Sequence, residues 1–260
     1  MKPARIITLA SVVAVLALAV WAGRQPGRWQ TIGAYRTGLD GRTDSQIHNV
    51  RLAVKAIDGK VLPPGAEFSF NRIVGSWSAD RGYVKAPVSY DGELIPDWGG
   101  GVCQASTTLY NAALLAGLDI IERHKHQFPA RYAPPGQDAA VAQLDIDLRF
   151  RNPYRWPVKL ETEAEGNHVI CRVLSQTALD KEISIDREIR KITMPGRVLR
   201  VKDSGQGDDI RWRVVNRGAP GMEVAVYRSI ADGGRSTRTL ISQDTYPPMN
   251  KLLWAENRRL

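Results

Sequence analysis

The chain has 260 residues, 43% of them hydrophobic and 24% charged, which excludes intrinsic disorder and suffices for one sizeable core or two modest ones. Its net charge of +9 sits at the two ends: residues 1–30 carry +4, residues 31–180 carry −1 and residues 181–260 carry +6. Cys103 and Cys171 are the only cysteines, so a disulfide framework and a four-thiolate zinc site are both excluded.

Between Arg5 and Arg24, the eighteen uncharged residues Ile6 to Gly23 contain only Thr8 and Ser11 as polar side chains. As a helix they reach about 27 Å at roughly 1.5 Å per residue, close to the hydrocarbon thickness of a bilayer. With Lys2 and Arg5 as a positive flank, residues 1–30 read as a membrane signal anchor. A cleaved signal peptide, with Val20 and Ala22 at positions −3 and −1, is the alternative. Either reading places the remainder outside the cytoplasm, at the cell membrane or secreted, and makes nucleic acid an unsuitable partner.

From Thr43, TDSQIHNVRLAVKAIDG sets Ile47, Val50, Val54 and Ile57 at helical spacing, with Thr43, Asp44 or Ser45 as N-cap and Gly59 as C-cap. VLPPGAEFSFNRIVG reads as a turn followed by a short half-buried strand bearing Phe68 and Phe70. Residues 75–101, rich in Gly, Trp and Pro, are expected to form a long structured loop. A second helix starts near Cys103 and ends at Gly117. AQLDIDLRF, alternating Leu144, Ile146, Leu148 and Phe150, and HVICRVL, alternating Val169, Cys171 and Val173, read as strands, with Asp145 and Asp147 on the solvent face of the first. Beyond residue 180 only KEISIDREIRK has a helical look, while MEVAVYRSI and TRTLIS pair through the turn Asp232-Gly233-Gly234. The expected fold class is α+β: residues 31–180 with two main helices and an antiparallel sheet, then a small β-rich module over residues 181–260.

The chemistry concentrates at Gly99-Gly100-Gly101-Val102-Cys103-Gln104, a glycine run delivered directly into a helix. Unpaired N–H groups and the dipole at a helix start favour a thiolate, and the same N–H groups can hold an oxyanion, so Cys103 is a candidate nucleophile. A small buried structural cysteine is the alternative. Four histidines can serve as base. His48 lies beside the apolar stripe of the first helix and His168 in a turn, whereas His124 and His126 share one face of the extended ERHKHQ segment. Asp138 is a candidate to orient a histidine or, equally, a turn cap. No carboxylate stands at a spacing that completes a metal site with these histidines, so neither a metal nor another cofactor is expected. A Cys103–Cys171 disulfide is a further reading in an oxidising compartment.

The stretch from Asn49 to Phe150, through VLPPGAEFSFN, VGSWSADRGYVKAP, GGGVCQASTTLYNAALLAGLDIIERHKHQFPARY and PPGQDAAV, resembles the VanW domain, named for the accessory protein W of B-type vancomycin resistance. The resemblance implies an exported or anchored bacterial envelope protein acting on peptidoglycan or its stem peptides, as an L,D-transpeptidase with Cys103 as nucleophile and His126 as base. His124 is the second-choice base. The motif positions Gly99, Gly100, Gly101, Val102, Gln104, Ser106, Thr107 and Tyr110 would form the substrate or oxyanion loop, and Gln127 replaces a frequent Ser. Residues from Gly218 onward are weakly similar to the G5 type of wall-protein module, which implies contact with an anionic wall polymer. The competing class is a non-enzymatic peptidoglycan or glycan binder whose cleft is built from Trp77, Tyr83 and Trp98.

Overall fold

The structure, a computed structural model, describes residues 27–90, 93–142, 145–201 and 210–257. The expected anchor, apart from its last four residues, and Leu144 lie outside these. No described helix is long and apolar enough to cross a membrane.

The fold is α+β, assembled around two helices. Helix α1 (Asp44–Ile57) starts at Thr43, whose hydroxyl accepts from the Gln46 N–H while the Gln46 side chain accepts from the Thr43 N–H, a reciprocal capping box. Its stripe buries Val50, Val54 and Ile57 as the spacing predicts, together with Ala53, while Ile47 is half-buried at its edge. Helix α2 (Phe70–Val74) is a single turn, and helix α3 (Val102–Leu115) is buried along nearly its whole length. Because α3 has protein on every side, its sequence has no charged residue, and its buried polar side chains such as Gln104 and Asn111 are hydrogen-bonded.

The core sheet is antiparallel in the order β1 (Gln30–Gly38), β9 (His168–Ser175), β8 (Val158–Glu165) and β2 (Val61–Leu62). Helix α3 lies against β1 and β9, and α1 against β8. A second small sheet orders β3 (Glu67–Ser69), β7 (Arg149–Arg151) and β6 (Asp119–Glu122), with Phe68 stacked on Phe150 at 4.6 Å. Strands β4 (Lys85–Tyr90) and β5 (Glu93–Trp98) form a hairpin inside the segment expected to be loop; Pro87 pairs with Pro96, and prolines in both strands masked the pattern.

Two other expectations are corrected. Most of AQLDIDLRF is not strand: Asp147 instead caps α2, accepting from the Asn71 N–H at 2.9 Å and the Ser69 hydroxyl at 2.5 Å, so it is not a solvent-facing residue of a ladder. KEISIDREIRK is strand β10 (Glu182–Thr193), because its partner β13 (Gly221–Asp232) supplies a full antiparallel ladder that overrides helical propensity. β13 pairs in turn with β14 (Arg235–Tyr246) through the Gly233-Gly234 turn. A last sheet orders β11 (Val198–Val201), β15 (Lys251–Asn257) and β12 (Ile210–Asn216). The β10–β13–β14 sheet is packed on the rest: Ile185 and Ile241 touch both the main core and the cluster of Val224, Val226 and Tyr246.

Phe150 is fully buried in the stack that joins β3 and β7. Phe150→Ala is expected to lower stability by about 3–5 kcal/mol in urea unfolding.

Candidate active site

The site grows from the way α3 begins. No side chain caps it; Gly101, at φ 106°, is the N-cap. A Cβ on Gly101 would lie 2.6 Å from the Gln46 carbonyl oxygen, and one on Gly99 2.9 Å from the Trp77 side chain. The glycines therefore let the loop wedge between α1, Trp77 and β4, and the space expected for a substrate is filled by protein. The buried Asn49 amide locks the loop further, donating to the carbonyls of Gly100 and Val84.

This wedge presents Cys103 partly exposed at the first turn of α3. Its S–H donates to the Val141 carbonyl at 3.3 Å, and its Sγ lies within electrostatic range of His126. The N–H groups of Val102 and Gln104 already donate to the Gly99 and Gly101 carbonyls, so of the N–H groups of Val102, Cys103 and Gln104 at this helix start, that of Cys103 is the one without an acceptor among the described residues.

His126 is positioned from the opposite side. Its backbone N–H and Nδ1 both meet Asp138 Oδ2 at 2.7 Å, which leaves Nε2 for the thiol. Asp138 is wholly buried, and its other oxygen is also filled: Oδ1 accepts from the Tyr246 hydroxyl at 2.5 Å and from Arg123 Nη2 at 3.1 Å. Arg123 in turn donates from Nε to the Asp138 carbonyl at 2.6 Å and from Nη1 to both oxygens of Asp244 at 2.8 and 2.6 Å. Tyr246 Oη also accepts from the Gly136 N–H. Strand β14 and the segment after β6, distant in sequence, thus hold one carboxylate.

The electrostatics follow from this enclosure. Burial pushes Asp138 up, but the hydrogen bond and charge of His126, with Arg123, bring it down to about 2. Burial disfavours the His126 cation, yet its interactions with Asp138 and Cys103 raise it to about 10. Burial also pushes the Cys103 thiol up, and the interaction with His126 and its charge more than offset this, leaving it below its ordinary value. The two shifts run in opposite directions, the thiol down and the imidazole up, and so favour a thiolate–imidazolium pair over the neutral one. His126, held up, adds stability fully present below about pH 6.5 and lost as pH rises through about 10; Asp138, held down, adds stability present above about pH 3.8 and lost as pH falls through about 2.

Cys103, His126 and Asp138 are brought together; the other singled-out residues are not. His124 turns away to Glu122 at 3.0 Å, because the chain leaves the strand at Glu122 and alternation of faces ends there. Val102, Gln104, Ser106, Thr107 and Tyr110 are buried and cannot line a substrate loop. Ser106 and Thr107 instead anchor Ala139, next to Asp138, and Gln104 holds Thr37, Gly38 and Arg42. Trp77 and Tyr83 are core residues, so the expected aromatic cleft with Trp98 does not exist. Both cysteines are free, and Cys171 is buried in β9, where burial pushes its thiol up. Among the described residues no His, Cys, Asp or Glu group is arranged for a metal. A cavity of about 670 Å³ is lined by Tyr110, Arg123, Arg228 and Asp244 but by neither Cys103 nor His126.

Residues 45–174, which contain the whole Cys103–His126–Asp138 arrangement, match the family model described as VanW like protein. The chain belongs to the VanW family. It is 38% identical over 154 residues to the uncharacterized protein YoaR of Bacillus subtilis, covering 59% of this chain and 51% of that one. It is 30% identical over 147 residues to the vancomycin B-type resistance protein VanW of Enterococcus faecalis, covering 54% of each. The chain thus spans about half the length of these VanW relatives. Two solved G5 domains also align: one from HP0197 (17% identity, TM-score 0.15, 29% of this chain and 95% of that one) and one from IgA1 protease (16%, 0.18, 30% and 94%). TM-scores this low do not establish a shared fold.

Sequence reasoning missed Arg42, Arg123, Tyr132, Asp244 and Tyr246. Arg123 stands beside the histidines, and a base within the ERHKH run was the available signal; nothing in the spacing of residues 244 and 246 links them to residue 138.

Alkylation of Cys103 by iodoacetamide is expected to reach half its maximal rate below the free-thiol value of about pH 8.5, and His126→Ala to shift that midpoint upward. Tyr246→Phe removes a donor to Asp138 and the acceptor of the Gly136 N–H. It should cost about 1–3 kcal/mol in urea unfolding and move the acid unfolding limb to higher pH.

Proposed function

We propose that this chain is a cell-envelope cysteine acyl-transferase of L,D-transpeptidase type, acting on peptidoglycan stem peptides. The observation that carries the reading is the partly exposed Cys103 thiol paired with His126, whose other nitrogen is fixed by the enclosed carboxylate of Asp138. A lone buried cysteine needs no such partners.

In the proposed reaction Cys103 Sγ attacks a stem-peptide carbonyl, and the developing oxyanion meets the free Cys103 N–H. His126 gives its proton to the leaving amine as the carbon–nitrogen bond breaks, leaving a thioester on Sγ. An acceptor amine then attacks the thioester; its proton passes to His126 as the thiolate departs. The pH profile of acylation is bell-shaped, rising as Cys103 ionises and falling near pH 10 as His126 loses its proton. The setting is extracytoplasmic, with residues 1–30 as anchor or export signal, consistent with a relative named for vancomycin resistance. The +6 of residues 181–260 suits an anionic wall polymer, through attraction that salt screens over about 8–10 Å.

A non-enzymatic binding role draws on the β4–β5 hairpin, which exposes Tyr90, Leu94, Ile95 and Trp98. Incubation with purified muropeptides separates the two: the enzyme reading expects a stem-peptide thioester on Cys103 by mass spectrometry and 3-3 crosslinks that vanish in folded Cys103→Ala and Cys103→Ser. Binding with no adduct, weakened by Trp98→Ala, would replace it with the second reading.

A further inference from the structure

We propose that Arg42 receives a free carboxylate of the substrate beside Cys103, and so selects peptides that end one residue beyond the carbonyl under attack. This deepens the acyl-transfer reading and rests on it.

Arg42 follows the end of β1 and precedes α1, with its backbone N–H on the Leu39 carbonyl. Its side chain has little freedom. Nε donates to Gln104 Oε1 at 2.8 Å, and the guanidinium lies over the Tyr132 ring at 4.7 Å. Gln104 is itself buried, with its amide nitrogen committed to Thr37 Oγ1 and the Gly38 carbonyl, so its oxygen is fixed in place as the acceptor for Arg42. Tyr132 meets the His126 ring edge-on at 6.5 Å. One side of the guanidinium plane is thereby tied to the residue after Cys103 and one face to the neighbour of His126.

The outer edge is open. Neither Nη nitrogen has a hydrogen-bond acceptor, and no carboxylate pairs with Arg42, among the described residues. Arg123, the other arginine close to the site, has every nitrogen occupied. Burial makes the Arg42 charge costly, and it lies within electrostatic range of Cys103 and Tyr132. A half-buried, preoriented guanidinium with its fork free is suited to bidentate capture of a planar anion. In the proposed reaction the group beside the thiol is the scissile carbonyl, and the carboxylate of a C-terminal residue stands just beyond it on the leaving side. The released product is then a single amino acid: its nitrogen takes the proton from His126 as the carbon–nitrogen bond breaks, while Arg42 holds its carboxylate.

The test compares two tetrapeptides, L-Ala–γ-D-Glu–diaminopimelate–D-Ala, with a C-terminal carboxylate or a carboxamide, on the full chain. Wild type should form the Cys103 adduct about 10–100-fold faster with the carboxylate, the range of a charged hydrogen-bonded pair. Arg42→Gln should reduce the carboxylate peptide to the carboxamide rate, Arg42→Lys should restore part of the preference, and alkylation by neutral iodoacetamide should stay within a few-fold of wild type. A slowing of both peptides by the same factor in Arg42→Gln overturns the proposal, since Arg42 would then act only on Gln104 or the thiolate. If wild type forms no adduct with either peptide, the acyl-transfer reading fails separately, and calorimetry on Cys103→Ala decides: tighter binding of the carboxylate, erased by adding Arg42→Gln, supports the site, and equal or absent binding refutes it.

Discussion

A carboxylate with no solvent contact has to be met by donors on all sides, because desolvating an ion in the interior is compensated only when its lone pairs are filled. Asp138 is in that position. Its donors come from two parts of the chain: the segment after β6 supplies the backbone and ring of His126 and the guanidinium of Arg123, and β14 supplies the hydroxyl of Tyr246. Each is fixed in turn, Arg123 by Asp244 and the Gly136 carbonyl, Tyr246 by the Gly136 N–H. Remove this ion and His126 loses the partner of its Nδ1 and backbone N–H, the largest of the interactions that favour its charge.

The thiol side depends on shape more than on charge. Gly99 and Gly101 permit a loop so close to Trp77 and Gln46 that the start of α3 is fixed against α1. The buried amides of Gln46 and Asn49 then close the gap, reaching Pro87, Val84 and Gly100. Helix α1 therefore has two working faces, an apolar stripe towards β8 and a polar one towards the glycine loop.

The parts of this molecule that were legible in the sequence are those governed by neighbours in the chain. The N-cap among Thr43, Asp44 and Ser45, the α1 stripe, the Gly233-Gly234 turn and the junction before Cys103 are all local patterns, and each has its structural counterpart. Strand β10 was misread because its partner β13 lies some forty residues away, and the hairpin β4–β5 because Pro87 and Pro96 imitate loop. The cluster of Cys103, His126 and Asp138 was assembled from residue chemistry and a family resemblance, without access to Arg42, Arg123 or Tyr246. Motif residues such as Gln104 and Thr107 looked like substrate contacts, but sit one layer inward and hold the residues that face outward.

The contact between Tyr246 and Asp138 ties the order of synthesis to the state of the thiol. Cys103 is made early, yet the hydroxyl that completes the support of its histidine arrives 143 residues later, on the last strand of the β10–β13–β14 sheet. A chain still lacking that strand carries the cysteine without its full electrostatic backing. The full support of His126 therefore forms only once β14 has been made and has docked against Asp138.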